Sequence, residues 1–447
     1  MKKIDLIIIG GSAAGMVTAS TVRKFHKDKT ILIIRDQPEV PVPCGIPYIF
    51  GTLKSSSEDI VPDKNMTDKN IDILIDRVIK VDLKEKIVET KTGKKFGYEK
   101  LVFATGSNPT IPSFIKGTEL KNVYTITKYI YEIDALKDAL KGLNKVVVIG
   151  GGFIGIEVSD EINKLKKNVT LISSSKNVLW KSFDEKFSSK VEESLINRGI
   201  NLIKGKRATE IAGDGKVSHV VFNDGDKMEA DAVILALGTR AKSELAKDAG
   251  LSLDETGAIM VDGYMRTSVK DVYAVGDCAH KTDFFTGKTS GVMLASIAAA
   301  EARIASLNMY GIVSSRKSLG TVSAFSTKVG NLVVASAGLT EMQSVEEGYD
   351  VIVGEASATD RHPGKFDDVS MQEVKLIFER RSGYIIGGQI SGGVSVGEMI
   401  NIIALAIQQR MTISEMVHLQ IATHPLVTSA PTAYPIVMAA LDALSKY

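Results

Sequence analysis

The sequence predicts an α/β protein with two doubly wound units and a mixed α+β tail. One observation is a repeat. Ile7-Ile8-Ile9-Gly10-Gly11-Ser12-Ala13-Ala14-Gly15 has a counterpart in Val146-Val147-Val148-Ile149-Gly150-Gly151-Gly152-Phe153-Ile154-Gly155. A second is that both turns lead into a helix-length segment and then another apolar strand, Thr30 to Ile34 and Asn168 to Ile172. A third is how each unit closes. Leu101-Val102-Phe103-Ala104 runs into Thr105-Gly106, and Val233-Ile234-Leu235-Ala236-Leu237 runs into Gly238. From about Phe325 no glycine turn recurs, and Val394 to Gln409 reads as an apolar helix with Met399, Ile402, Ile403 and Ile407 at helical spacing.

Length and composition exclude several classes. At 447 residues the chain is long for one domain, and roughly 150 residues per domain gives about three. With 55 basic against 53 acidic residues there is no charged surface for nucleic acid or a membrane. No apolar stretch approaches the roughly eighteen residues of a membrane span. Met1-Lys2-Lys3 imitates the start of a signal peptide, but Asp5 interrupts the apolar run and Gly10-Gly11 fits a strand-to-helix turn. Two distant cysteines offer neither a disulfide framework nor a structural zinc set, so no metal is expected. The chain reads as soluble and cytoplasmic.

Glycine turns of this kind bind nucleotides for a physical reason. The first glycine permits the tight turn, the second admits a pyrophosphate, and the third lets helix and strand pack closely, with phosphate on the exposed helix amides. The second turn is complete at Gly150, Gly152 and Gly155; in the first, Ser12 takes the middle position. The residue ending the next strand is expected to read the ribose. In the first unit this is Arg35, with Asp36 after it; in the second it is Ser173, followed by Ser174-Ser175-Lys176 without an acid. Hydroxyls with a cation suit a 2′-phosphate and favour NADPH over NADH, while a solvated loop would tolerate both.

Tyr273-Ala274-Val275-Gly276-Asp277 after a predicted strand resembles the segment with which flavoprotein disulfide reductases hold the FAD ribityl chain. With Gly10 to Gly15, Tyr98 to Gly106 and Gly150 to Glu157, it makes nearly the whole chain similar to the glutathione-reductase-like superfamily. The resemblance implies an FAD-binding domain split over 1–110 and 245–324, an NAD(P)-binding domain over 111–244 and a dimerisation domain over 325–447. A homodimer is implied with it. It also implies that a helix at about Ser290 to Ser306 points its N-terminus at the flavin, that Asp277 bonds the ribityl side, and that Glu157 sits near the face receiving the nicotinamide.

Within this superfamily the cysteines sort the chemistry. No second cysteine lies near Cys44, and Cys44-Gly45-Ile46-Pro47-Tyr48 with Gly51 resembles coenzyme A disulfide reductases and their relatives, the NADH oxidases, NADH peroxidases and persulfide reductases. Oxidases and peroxidases commonly place a histidine where this chain has Ala13, which tilts the reading toward disulfide or persulfide chemistry. The pattern also departs from the coenzyme A reductases: Val40-Pro41 replaces a Ser-Phe pair, Pro43 an asparagine, and Arg361-His362 before Pro363-Gly364 the paired tyrosines. Arg23 matches a basic position that meets coenzyme A phosphates; a charged helix face explains it equally well.

The thiolate is the nucleophile, and a free cysteine with pKa about 8.5 is only slightly ionised at pH 7. Cys44 is expected where a loop enters an apolar helix. The dipole there supplies roughly 0.3–1 kcal/mol, less than the 1.36 kcal/mol of one pKa unit, so another partner is required. Candidates are the flavin and a group from the other subunit. Ala422-Thr423-His424-Pro425 resembles the motif with which glutathione-reductase-type enzymes send a histidine across the dimer, and Tyr434 is the alternative proton donor. Cys278 is expected to be packing. The resulting expectation is electron transfer from NAD(P)H through FAD to a Cys44 disulfide or persulfide with a small thiol. Two alternatives remain: reduction of oxygen or peroxide through a Cys44 sulfenic acid, and reduction of a carrier protein such as rubredoxin.

Overall fold

The computed structural model describes all 447 residues. The first apolar run forms the strand Lys2–Ile9, at the centre of a seven-stranded sheet. Ile31–Arg35 and Asp72–Ile75 lie to one side in parallel, and Lys95–Phe103 to the other, itself paired in parallel with Val272–Ala274. Parallel strands buried on both faces read as continuous apolar runs, as Leu6-Ile7-Ile8-Ile9 does. A second sheet of five parallel strands takes the order Asn201–Lys204, Asn168–Ser173, Lys145–Ile149, Ala232–Leu235, Val123–Thr125.

The chain crosses between the sheets twice, and the crossings pair with each other. Ser107–Pro109 runs antiparallel to Thr239–Ala241, with Ser107 opposite Ala241.

From Phe325 onward the chain forms an antiparallel five-stranded sheet. Helices Val396–Gln408 and Pro435–Leu444 cover it, burying Ile400, Ile403, Ile407, Ile436 and Ala440 in one apolar core. No helix is long and apolar enough to cross a membrane.

The helix after the first glycine turn is Ala13–Phe25, whose buried Ala14, Thr18 and Val22 recur every four residues. It packs on Ala295–Asn308 through small side chains, Ala298, Ala302 and Ala305, which lets the backbones approach closely. That second helix starts later than the expected Ser290. Residues 291–294 run without helical bonds, and the Met293 sulfur instead accepts the Thr239 hydroxyl at 3.1 Å.

Around Cys44 there is no full helix. Ile46–Ile49 is a single four-residue 3₁₀ turn. Pro47 has no N–H to donate, and the chain must pass close to the next helix at Gly51, where a Cβ would stand 2.3 Å from the Glu161 carbonyl. The dipole support expected for the thiol is correspondingly smaller. What fixes the turn is packing: Ile46, Ile49 and Phe50 are fully buried in the same core as Ile156, Val158 and Ile162 of the helix Phe153–Asn163. Each such side chain contributes about 1.5–3 kcal/mol.

Candidate active site

Both glycine turns have the geometry their spacing demands. Gly10 and Gly150 have φ of +114° and +128°, and a Cβ would lie 2.1 Å from the Ala104 carbonyl oxygen and 2.3 Å from that of Ala236. Gly15 and Gly155 fold back so closely that a Cβ would meet the carbonyls of Gly10 and Gly150 at 2.0 and 1.8 Å. At Gly152 nothing lies within 4 Å, leaving the approach to the helix open. Ser12 and Gly152 are the N-caps, and neither helix start receives a side-chain cap, so the first-turn amides of Ala13, Ala14, Phe153 and Ile154 are free for phosphate. Gly238, at φ +88°, likewise opens onto unfilled space.

The strand ends behave alike and differ from expectation. A Cβ on Gly11 would sit 2.7 Å from Arg35 Cδ, and one on Gly151 would sit 2.6 Å from Ser173 Oγ. Arg35 and Ser173 are thus equivalent, each buried beneath its turn. Arg35 spends its donors on the carbonyls of Gln37 and Pro38 and on Asp63. Asp36 accepts the Tyr129 hydroxyl at 3.2 Å, with Lys242 at 3.7 Å. Ser173 lies beneath Gly151, and exposed Ser174 and Lys176 follow it, with Lys176 3.2 Å from Glu185.

Arg23 is corrected too. Its guanidinium donates to the carbonyls of Lys69, Asn70 and Lys27 at 2.8–3.0 Å, tying the helix to the loop before the Asp72–Ile75 strand. No donor fork is left for a phosphate.

The two ends of the first site meet at Gly276, where φ is +78° and a Cβ would stand 2.9 Å from that of Ala14. Glu301 holds this turn by accepting the Gly276 amide at 2.8 Å, and Lys281 donates to the Gly276 carbonyl at 2.6 Å. Burial pushes Glu301 up to about 7 despite Lys281 beside it. Asp277 accepts Ser107 Oγ at 2.7 Å and Lys128 Nζ at 2.9 Å. Burial opposes its ionisation, but the Lys128 charge and these bonds hold it below the usual carboxylate range. Thr105 and Gly106 lie alongside: the Thr105 hydroxyl bonds the Lys242 carbonyl, and a Cβ on Gly106 would come 3.9 Å from Lys128 Nζ.

Cys44 is exposed, while Cys278 is buried with Sγ 3.4 Å from the carbonyls of Phe103 and Val275, as expected of a packing residue. The walls around Cys44 still push its thiol up: burial first, then Glu157, opposed by Lys128, with Asp277 and Asp59 adding to the rise. Glu157 accepts the Thr327 hydroxyl at 2.8 Å, and burial brings its carboxyl up to about 7. Phe153 stacks on Phe325 at 4.9 Å and 14°, so a tail residue covers the start of the second turn's helix. Tyr48, on the Cys44 turn, has its phenol pushed up by burial and then by Glu157 and Glu161.

His424 lies exposed on a loop of the tail, and its Nδ1 accepts the Leu426 amide at 3.3 Å, which places the proton of the neutral ring on Nε2. His362 joins the same loop by donating its amide to the Pro425 carbonyl at 3.1 Å. Tyr434 is set in the tail core, where burial pushes its phenol up.

Lys128, Asp59, Thr327 and the Lys281–Glu301 pair were not marked by any motif. The single usable hint was Tyr48, inside the Cys44 segment.

A family model described as pyridine nucleotide-disulphide oxidoreductase matches residues 4–302, and the dimerisation domain of the same family matches 324–434. The chain belongs to this family. Pyridine nucleotide-disulphide oxidoreductases of this kind are FAD-dependent and take electrons from NAD(P)H. The uncapped helix starts, the open approach at Gly152 and the Gly276-Asp277 turn fit two dinucleotides. Among relatives, a protein of Methanocaldococcus jannaschii named NADH oxidase is 33% identical over 461 residues, covering 98% of each chain. One of Pyrococcus horikoshii, named NAD(P)H coenzyme A polysulfide/persulfide reductase, is 33% identical over 88% of each. The structure of a NAD-dependent persulfide reductase from A. fulgidus superposes with a TM-score of 0.92 at 31% identity, over 99% of this chain and 83% of that one.

Proposed function

We propose that the protein reduces a disulfide or persulfide of a small thiol, such as coenzyme A disulfide, at Cys44, using NAD(P)H. The observation that carries this is the single exposed thiol, set where the Ile46–Ile49 turn, the helix bearing Glu157 and the Asp277 turn converge, with Cys278 buried out of reach. Bound FAD supplies the two-electron relay between nicotinamide and sulfur. The residues of this chain do the rest. The free amides after Gly10 and Gly150 bind the two pyrophosphates, Asp277 with Lys128 and Ser107 anchors the ribityl side, and Phe153 on Phe325 covers the nicotinamide entry. Lys128 favours the Cys44 thiolate, which attacks the substrate sulfur and displaces one thiolate. His424, delivered by the second subunit of a homodimer, gives that leaving group its proton from Nε2. We infer a cytoplasmic setting from two cysteines that are both free.

A second reading, oxygen or peroxide reduction at Cys44, is favoured by the name of the Methanocaldococcus relative; Ala13 in the first turn opposes it. Anaerobic oxidation of NADH and NADPH by the flavin-loaded protein with coenzyme A disulfide, compared with Cys44→Ser and with an aerobic assay lacking disulfide, tests both. Disulfide-dependent turnover lost in the serine variant supports the first reading. Turnover only in air, or unchanged in the variant, overturns it.

A further inference from the structure

From Leu419 to Ala430 the tail has neither helix nor strand, and this stretch carries His424. Packing does not hold its tip. Leu426 and Val427 are 56% and 60% exposed, so the apolar side chains that could anchor it face outward. Hydrogen bonds close the turn on itself instead. The His424 carbonyl accepts the amides of Val427 and Thr428 at 3.0 Å, and the Thr428 hydroxyl oxygen accepts the His424 amide at 3.0 Å.

Two anchors tie this turn to the tail sheet, both from one end of the paired strands Val351–Thr359 and Met371–Glu379. The first is His362, just beyond Thr359. Its amide donates to the Pro425 carbonyl at 3.1 Å, and its Nδ1 lies 3.0 Å from the Thr428 carbonyl. A carbonyl only accepts, so Nδ1 carries the proton of the neutral ring, the opposite tautomer to that of His424. His362 is itself held, because its neighbour Asp360 is buried and exchanges two bonds with Ser370: amide to carbonyl at 3.0 Å, and carboxylate from amide at 2.9 Å. The second anchor is the buried Gln372, which accepts the Ser429 hydroxyl at 3.0 Å and donates to the Ser395 hydroxyl at 2.8 Å.

We propose that His362 is the positioning residue for His424, its amide and ring together latching the Pro425–Thr428 turn so that the His424 ring is presented in one orientation. The proposal rests on His424 being the proton donor of the proposed reaction. The path between the two histidines is a single residue. Thr428 meets the His362 ring through its carbonyl and the His424 amide through its hydroxyl. A proton donor must reach its acceptor within hydrogen-bond distance, and a displacement of about 1 Å can cost about 10²-fold in rate. An exposed loop without apolar anchors keeps such a placement only where its backbone is bonded to something rigid.

Hydrogen–deuterium exchange of the flavin-loaded protein, read by mass spectrometry over residues 419–430, tests the latch without turnover. His362→Ala should speed exchange there by about three- to tenfold, the worth of one hydrogen bond, and leave Met371–Glu379 unchanged. His362→Asn, whose side-chain amide can donate from the place of Nδ1, should restore the slow exchange; His362→Gln, with its donor one bond further out, should not. With coenzyme A disulfide, His362→Ala should lower kcat by about three- to thirtyfold with KM within about twofold, and His362→Asn should recover it. In a His424→Ala background, His362→Ala should cost nothing further. Unchanged exchange in His362→Ala, no rescue by His362→Asn, or a further loss in the double variant overturns the proposal. If His362→Ala does not fold, His362→Asn and His362→Gln decide it, and equal exchange in the two overturns it. Full turnover in His424→Ala would instead remove the acid role on which the proposal rests, while the exchange data still report the latch.

Discussion

Lys128 Nζ lies 2.9 Å from the Asp277 carboxylate, joining the loop after the second sheet's strand Val123–Thr125 to the turn that closes the first sheet. It is the only cation among the groups that shift the Cys44 thiol. Lys128→Met should therefore raise the thiol pKa and slow iodoacetamide labelling of Cys44 at pH 7 by about threefold or more, an interaction of order 1 kcal/mol. Faster labelling would mean that Asp277, freed of its partner, has become the dominant influence through its own protonation.

Glu157 gives a pH dependence of stability. Its folded-state value, about 7, is above its ordinary 4.5, so the folded protein binds more protons between the two and loses stability as pH rises through that interval. Melting curves from pH 5 to 7.5 should fall more steeply for wild type than for Glu157→Gln. Parallel curves would place the raised group elsewhere.

The glycine turns separate the two nucleotides. Gly10→Ala forces a methyl against the Ala104 carbonyl at φ +114° and should yield protein that no longer retains FAD. Gly150→Ala should keep the yellow colour and lose nicotinamide binding, seen as slow flavin bleaching by NADPH and NADH. Loss of colour in both would show that the units do not bind independently.

Phe50 anchors the Cys44 turn. Phe50→Ala should lower unfolding free energy by about 3–5 kcal/mol, measured by denaturant titration. A loosened turn should also label faster at Cys44; unchanged labelling would mean that the close approach of Gly45 to Asp59 suffices to hold the thiol.

His424→Ala should reduce disulfide turnover by about 10²–10⁴-fold without changing flavin content, while Tyr434→Phe should leave turnover within about twofold. The reverse order would restore the tyrosine as proton donor.

The two doubly wound units were legible because their signals are local. A run such as Val146 to Ile149 followed by a glycine turn announces itself in ten residues, and the required φ at Gly150 is a property of one position. The thiol's surroundings were not legible, because Cys44, Asp59, Lys128, Glu157 and Asp277 come from five separate stretches that only the tertiary fold brings together. Arg23 misled for the same reason. A basic residue on a helix face looks free until carbonyls 46 and 47 positions away are folded against it. Ser173 shows a different limit: the end of a strand can be located from sequence, but which way its side chain turns is set by the fold, here beneath Gly151.

The paired crossings Ser107–Pro109 and Thr239–Ala241 enter and leave the first sheet's territory side by side. The span between them joins the first sheet's chain at these two adjacent seams, so one of different length adds little loop-closure entropy there, although it must still pack on the Cys44 turn and the tail. The second unit is in this sense a cassette. Because Lys128 and Glu157 lie within it, exchanging that span at its two adjacent seams replaces the second glycine turn and resets the charge around Cys44 in the same step.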